Sequence, residues 1–214
     1  MDQSVVLHLQ SGNGTDDADL CRLGASTVIG VDFSSVATAS AQRRAEALDL
    51  PISYVVADVL TVPVRRASTD LVYTGKGALM WLPDLQAWAA ESARVLRPGG
   101  HLFLYEAHPA AALWTQDDDR ARVRTDRSYF AGTRSNDSFP ASALARFSPS
   151  SGDEAVEWQW TLADVVTAVL EAGFLLTHLG EYPEPFWRPG GAGTVAAWAG
   201  ALPNSFSLLA TKVE

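Results

Sequence analysis

Short apolar runs alternate with helical patterns through the first half of this chain. Each run is four or five residues long, is rich in β-branched or aromatic residues, and is bounded by glycine, proline or aspartate. This alternation is typical of β-α-β units, in which each crossover helix makes the strands on either side of it parallel. Five strands are predicted, at residues 5–9, 27–31, 52–56, 70–73 and 101–105. The pattern therefore predicts an α/β fold built on a parallel sheet.

The region after His108 departs from this alternation. Residues at about 109–158 mix acidic and basic side chains with Ser, Pro and Ala, and they include several aromatic rings. A stretch with so many aromatic residues is not expected to be simply disordered, and structureless loops of this length are uncommon. We interpret the segment as an insertion that forms a substrate lid within a single domain of residues 1–214.

Regular structure is predicted to return at Thr161. Thr161 and Asp164 form a T-x-x-D capping signal at the start of a helix that ends near Gly173. Two apolar runs follow, at residues 174–179 and 205–211, with no strong helical pattern between them. We expect these runs to form an antiparallel pair at the edge of the sheet.

Composition excludes several classes of protein. The chain has 214 residues with 16 basic and 25 acidic side chains, a net charge of −9, so we expect no nucleic-acid partner. The single cysteine, Cys21, cannot form an internal disulfide, and no apolar stretch approaches the roughly 18 residues that a membrane span needs. We expect a cytoplasmic protein without a membrane segment, and its oligomeric state is left open.

A glycine-containing turn follows the first predicted strand. Gly12 and Gly14 lie in this turn, where glycine permits positive φ angles and close approach of a ligand. Asp32 ends the second strand, where a carboxylate can accept the hydroxyls of a ribose. Asp58 follows the third strand, where a carboxylate or an adjacent backbone amide can recognise adenine. The alternatives are an ordinary βα turn and a helix N-cap at Asp32, but the three positions together favour one adenosine-bearing ligand.

These segments resemble the class I S-adenosylmethionine-dependent methyltransferases. The matching stretches are residues 6–14, 30–34, 57–59, 70–75 and 96–102, in the order and spacing of that family. The resemblance implies a doubly wound, mostly parallel, seven-stranded sheet whose last strand is antiparallel, with S-adenosylmethionine as cofactor. It assigns the following cofactor contacts: Gln10, Gly12, Gly14, Asp32, Phe33, Asp58, Val59 and Thr74.

Two positions depart from the pattern of this family. His8 stands where an acidic residue is usual, and Gln10 stands where the first glycine is usual. We therefore expect contact with the methionyl amino group to be made by other groups, or by backbone and water. Members of the family also commonly have helices before the first strand, whereas this chain reaches its first strand by Val5. Either a missing segment or the insertion is expected to cover the cofactor.

Methyl transfer places modest demands on catalytic side chains, because it mainly requires an aligned nucleophile and the exclusion of water. His108 is the candidate general base, since imidazole titrates near neutrality, and Glu106 is the candidate group to orient it or to bind a substrate amine. The alternative for His108 is a surface or capping histidine before Pro109. No metal is expected. Candidate substrate contacts are Tyr73, Lys76, Trp81 and Trp187.

The leading hypothesis is methyl transfer to an O or N atom of a small molecule, such as a metabolite or natural product. One alternative is a module that binds S-adenosylmethionine without catalysis. Another is an NAD-dependent oxidoreductase. Against the oxidoreductase, Asp17 stands where a dinucleotide fingerprint has its third glycine, and a carboxylate there would face the pyrophosphate.

Overall fold

The computed structural model describes residues 3–114, 122–130, 132–135, 156–185 and 201–214. Its strands are β1 (Ser4–Leu9), β2 (Ala25–Asp32), β3 (Ile52–Val56), β4 (Thr69–Gly75), β5 (Leu96–Ala107), β6 (Thr133–Ser135), β7 (Val156–Trp158), β8 (Phe174–Tyr182) and β9 (Ser205–Lys212). Its α-helices are α1 (Asp17–Arg22), α2 (Ser35–Ala47), α3 (Leu85–Val95) and α4 (Leu162–Glu171). Two short 3-10 helices, η1 (Leu79–Trp81) and η2 (Pro109–Leu113), follow β4 and β5.

The main sheet has seven strands in the order β3-β2-β1-β4-β5-β9-β8. Strands β1 to β5 are mutually parallel, and β9 runs antiparallel between β5 and β8. This arrangement confirms the predicted sheet and its antiparallel last strand. The direction of winding reverses between β1 and β4, and ligands of open α/β sheets bind at the carboxyl ends of strands beside such a reversal.

Two apolar cores cover opposite faces of the sheet. On one face, α3 and α4 pack against β5 and β9, and Trp88 of α3 is fully buried among leucine and valine side chains. On the other face, α1 and α2 pack over β1 to β3 around Val6, Val28 and Tyr73. Strand β5 begins at Leu96, earlier than the predicted residue 101, because Leu96 pairs with Thr69 before an irregularity in the ladder.

The described part of the predicted insertion includes β6 and β7, which form a separate antiparallel pair. The guanidinium of Arg134 lies 2.6 Å from the carboxylate of Glu157, which is fully buried. Gln159 donates to the carbonyl of Pro109 at 3.1 Å and so ties this pair to η2. The segment is anchored beside the end of β5, and its role as a lid stays a prediction.

A buried carboxylate holds the first βα turn in place. Asp17, at the start of α1, is 0% exposed. Its Oδ1 accepts a hydrogen bond from Nδ1 of His8 at 2.5 Å, and its Oδ2 accepts one from the hydroxyl of Tyr54 at 2.7 Å. Burial and the neighbouring carboxylate raise the pKa of Tyr54, so this hydroxyl stays protonated as a donor. The side chain of Asp17 thus points into the fold. In the dinucleotide site considered above, it would instead face the pyrophosphate.

The ring of Tyr54 explains why two glycines lie beside it. A Cβ at Gly14 would lie 2.2 Å from the Tyr54 hydroxyl oxygen, and a Cβ at Gly30 would lie 2.5 Å from the ring. Real Cβ atoms do not approach so closely. Gly14 also has a φ of +72°, which side chains disfavour. The ring of Tyr54 therefore needs both glycines in order to reach Asp17.

We expect Asp17→Ala to lower the free energy of unfolding by about 3 kcal/mol, because His8 and Tyr54 would lose their buried acceptor. Asp19→Ala is the matched control on the same helix. Asp19 is exposed and pairs with exposed Arg22, so its loss should cost about 0.5 kcal/mol or less. Urea unfolding measures both values. Equal losses in the two variants would show that the buried cluster contributes nothing special.

Candidate cofactor and acceptor site

Asp32 meets the glycine turn at the carboxyl ends of β1 and β2. Its Oδ2 accepts a hydrogen bond from the backbone N–H of Gly12 at 2.9 Å. Its Oδ1 accepts one from the N–H of Ser34, also at 2.9 Å. The structure therefore brings together two residues that the sequence analysis assigned to one ligand, and the carboxylate has a fixed orientation before any ligand is present.

Space is available next to this contact. Gly12 has a φ of +55°, and nothing lies within 4 Å of the position that a Cβ would occupy there. Among the residues that the structure describes, the buried hydroxyl of Ser11 has no hydrogen-bond partner. The open backbone at Gly12 and the fixed carboxylate of Asp32 fit a nucleoside with free hydroxyl groups.

Gln10 occupies the left-handed region, with a φ of +57°. Its side-chain amide donates to the carbonyl of Ala78 at 2.8 Å, and its Oε1 accepts from the hydroxyl of Thr74 at 3.4 Å. Gln10 thus adopts the backbone conformation that glycine favours, and it adds a link between the turn after β1 and the loop after β4. Gln10 and Thr74, both predicted cofactor contacts, lie together at this link.

The predicted adenine contacts lie at the end of β3. The N–H of Ala57 donates to the carbonyl of Asp32 at 3.1 Å, so the ends of β2 and β3 are joined. Asp58 is exposed, and its Oδ1 accepts from the N–H of Leu60. Val59 is buried in the main core, so only its backbone can face a ligand. Phe33 is 78% exposed beside Asp32, which leaves its ring free to cover a ligand.

An acidic residue that the sequence analysis did not single out lies opposite β4. Asp16 Oδ1 lies 2.6 Å from Nζ of Lys76, and Asp16 Oδ2 accepts from the hydroxyl of Tyr73 at 3.1 Å. Burial and Asp16 raise the pKa of Tyr73, which keeps its hydroxyl a donor. Tyr73 and Lys76 were predicted substrate contacts, and both lie at this cluster. Only the position of Asp16 directly after the glycine turn could have indicated it.

The side-chain carboxylate of Glu106 holds the loop after β4 by accepting hydrogen bonds from the backbone of that loop. Its Oε1 accepts from the N–H groups of Gly77 and Ala107, and its Oε2 accepts from those of Ala78 and Leu79, at distances from 2.5 to 3.1 Å. Burial raises the pKa of the Glu106 carboxyl, and the four donors act against that rise. The carboxylate is engaged in shaping this loop, whereas the sequence analysis considered it as a partner of His108.

The carboxylate next to His108 is Glu181 of β8. Nε2 of His108 lies 2.8 Å from Oε1 of Glu181, and Nδ1 accepts from the N–H of Ala110 at 3.1 Å. His108 therefore caps η2, which is the capping alternative considered above. Because Nδ1 accepts, the neutral ring carries its proton on Nε2, toward Glu181. Burial lowers the pKa of His108, and Glu181 opposes the change.

The other two predicted substrate contacts are Trp81 and Trp187. Trp81 lies in η1 and is 39% exposed, and Trp187 lies outside the described residues. A cavity of about 410 Å³ lies on the face of β5, β9 and β8. Its described lining consists of Phe103, Tyr105, His178, Tyr182, Glu184, Ser207 and Leu209. None of these is among the candidate site residues named above.

Among the residues that the structure describes, no cluster of three or more His, Cys, Asp or Glu side chains is placed to hold a metal ion. None of the helices described is both long and apolar enough to cross a membrane.

The strand order, the single antiparallel strand and the Gly12–Asp32 contact at the carboxyl edge define a Rossmann-like methyltransferase fold. Residues 7–104 match the family model described as a methyltransferase domain. Over this segment, a little under half of the chain, the sequence is similar to methyltransferase domains, as the motifs predicted.

Sequence relatives match only parts of the chain. It is 53% identical over 49 residues to malonyl-[acyl-carrier protein] O-methyltransferase of Hahella chejuensis, covering 23% of this chain and 17% of that protein. It is 34% identical over 104 residues to demethylmenaquinone methyltransferase of Thermus thermophilus, covering 47% of each. The matches thus span less than half the length of these curated relatives.

Solved structures match over nearly the whole chain. An S-adenosylmethionine-dependent methyltransferase from Mesorhizobium loti has a TM-score of 0.74 at 23% identity, covering 99% of this chain and 92% of that one. Geranyl diphosphate C-methyltransferase from Streptomyces coelicolor has a TM-score of 0.67 at 15% identity, covering 98% and 73%. At these identities the likeness establishes the fold.

The backbone at Gln10 can be tested separately from its side chain. Gln10→Ala and Gln10→Gly both remove the bond to Ala78, but only glycine accepts a positive φ without strain. We expect the glycine variant to be more stable by about 1 kcal/mol in urea unfolding. At Asn13, which has no positive φ, the same two replacements should show the reverse order. The same order at both positions would contradict this account.

The stability of the protein should depend on pH through His108. Burial lowers its pKa below the ordinary 6.5, so the unfolded chain binds more protons just below that pH and stability rises as pH rises. We expect His108→Gln to flatten the dependence of unfolding free energy between about pH 5 and 7. Glu181→Gln removes the opposing charge and should steepen it. Unchanged slopes in urea unfolding would contradict the prediction.

Proposed function

We propose that this protein transfers a methyl group from S-adenosylmethionine to an O or N atom of a small molecule. The observation that carries the proposal is the contact between Gly12 and Asp32, with open space beside the glycine. The family match over residues 7–104 supports it. The match to an O-methyltransferase supports oxygen as one acceptor atom.

The residues at the carboxyl edge suit the nucleoside part of this cofactor. Each oxygen of the Asp32 carboxylate accepts one backbone N–H, and each retains a further acceptor site for a ribose hydroxyl. Asp58 and the backbone of Val59 are the groups for adenine, and the exposed ring of Phe33 can lie against it. Gly12 supplies an open backbone contact within the turn.

When bound, S-adenosylmethionine supplies a methyl group on a sulfonium, which a nucleophile can displace without further activation. The protein then has to align the acceptor and exclude water. In this proposal Trp81 and Trp187 contact the acceptor, and the insertion at about 109–158 covers it. Glu106 holds the loop that leads to Trp81, so its contribution is to position that loop.

The pair of His108 and Glu181 is the proposed destination of the acceptor proton. Nε2 and Oε1 are 2.8 Å apart, but Nε2 of the neutral ring already carries a proton and Nδ1 accepts from Ala110. The acceptor proton therefore goes to the half-exposed carboxylate of Glu181, beside the imidazole. The pair begins with one negative charge and becomes neutral overall when it takes the proton that the acceptor releases.

Titration calorimetry with S-adenosylhomocysteine tests the cofactor assignment. We expect saturable binding below about 1 mM, in the range typical of enzyme ligands. Asp32→Asn should weaken binding by about tenfold or more, because it removes a charged acceptor from ribose hydroxyls. Glu46→Gln, an exposed change on α2, is the control and should leave binding unchanged. Absence of binding by the parent protein at millimolar ligand would refute the proposal.

Formation of S-adenosylhomocysteine from S-adenosylmethionine tests turnover on a panel of small phenols, alcohols, carboxylic acids and amines. We expect at least one acceptor to be methylated at oxygen or nitrogen. His108→Gln should lower the rate and leave the affinity for S-adenosylhomocysteine unchanged. Binding without methylation of any acceptor would favour a non-catalytic binding module instead.

A further inference from the structure

An ion pair connects the two turns that flank the crevice between β1 and β4. Asp16 lies in the turn after β1, and Lys76 is the first residue after β4. Oδ1 of Asp16 and Nζ of Lys76 are 2.6 Å apart. The hydroxyl of Tyr73 donates to the other carboxylate oxygen at 3.1 Å, which fixes the orientation of Asp16. The backbone N–H of Lys76 donates to the carbonyl of Tyr105 at 2.7 Å, which fixes the start of its loop.

Both charged groups are accessible to a ligand. The side chain of Lys76 is 42% exposed and that of Asp16 is 21% exposed. Neighbouring Asp17 is fully buried and already has two donors, so it is not accessible. Partly exposed ion pairs contribute little to folding, so this pair can open without a large loss of stability.

The side chains of His8 and Gln10 are both engaged within the protein. His8, in the place of the usual acid, is buried and donates to Asp17. The amide of Gln10, in the place of the usual glycine, donates to Ala78. Neither side chain offers a carboxylate to a ligand ammonium group. Asp16 is the carboxylate of this turn that has both partial exposure and a position opposite β4.

We infer that Asp16 and Lys76 together recognise the amino-acid end of the cofactor, an inference that rests on the proposed function. That end is a zwitterion, with one ammonium and one carboxylate on the same carbon. Asp16 accepts hydrogen bonds from the ammonium, and Lys76 donates to the carboxylate. One ion pair within the protein is replaced by two with the ligand, so no charge is left unpartnered. Tyr73 acts as a positioning residue for Asp16.

Two ligands separate this role from recognition of the nucleoside. S-adenosylhomocysteine carries the amino-acid end, and 5′-methylthioadenosine has the same adenosine and sulfur without it. We expect the parent protein to bind S-adenosylhomocysteine at least about tenfold more tightly. Asp16→Asn and Lys76→Met should each weaken S-adenosylhomocysteine binding by about tenfold. Their affinity for 5′-methylthioadenosine should stay within about twofold of the parent value, which also shows that the variants are folded.

Arg22→Met is the matched control, because Arg22 and Asp19 form another exposed ion pair on α1. It should alter neither affinity. Equal weakening of both ligands in the Asp16 and Lys76 variants would overturn the inference in favour of a structural role. Unchanged binding of S-adenosylhomocysteine would overturn it as well. Failure of the parent protein to bind either ligand would refute the proposed function itself.

Discussion

The buried carboxylate of Asp17 is the contact on which the rest of the site depends. It joins β1 through His8, β3 through Tyr54 and α1 through its own backbone. A charge taken out of water at this depth is tolerated only with good partners, and both of its oxygens have them. The ring of Tyr54 reaches the carboxylate by passing two glycines. The path of the turn after β1, and with it the place where Gly12 meets Asp32, follows from this packing.

The acidic side chains at the carboxyl edge of the sheet fall into two groups: some stabilise the fold, and others are available to a ligand. Asp17 and Glu106 are buried, and their oxygens are engaged by donors within the protein. Asp32 is engaged by two backbone N–H groups but retains acceptor capacity. Asp16 and Asp58 remain the more exposed carboxylates. A chain with a net charge of −9 can thus concentrate acids at one edge, since donors or cations within reach partner them.

The sheet was predictable because each strand carries its own apolar pattern. The contact between Gly12 and Asp32 was predictable because both residues follow or end neighbouring parallel strands. The contacts that refine the site were not predictable, because their partners are distant in sequence. Gln10 and Ala78 are 68 positions apart, and nothing local to Gln10 indicates its left-handed backbone. Glu181 reaches His108 only through the edge pairing of β8 and β9. The four backbone donors around the Glu106 carboxylate were not predictable either, because three of them belong to the loop after β4.

The two backbone N–H groups that grip Asp32 also affect how a ligand would associate. Holding a side chain in one rotamer costs about 0.5 to 1.5 kcal/mol of entropy when it happens on association. Here that freedom is lost when the chain folds, since Gly12 and Ser34 already fix both carboxylate oxygens. A nucleoside arriving at this edge encounters an acceptor that needs no rearrangement. Its own torsional freedom, and the water it displaces, then dominate the thermodynamics of the encounter.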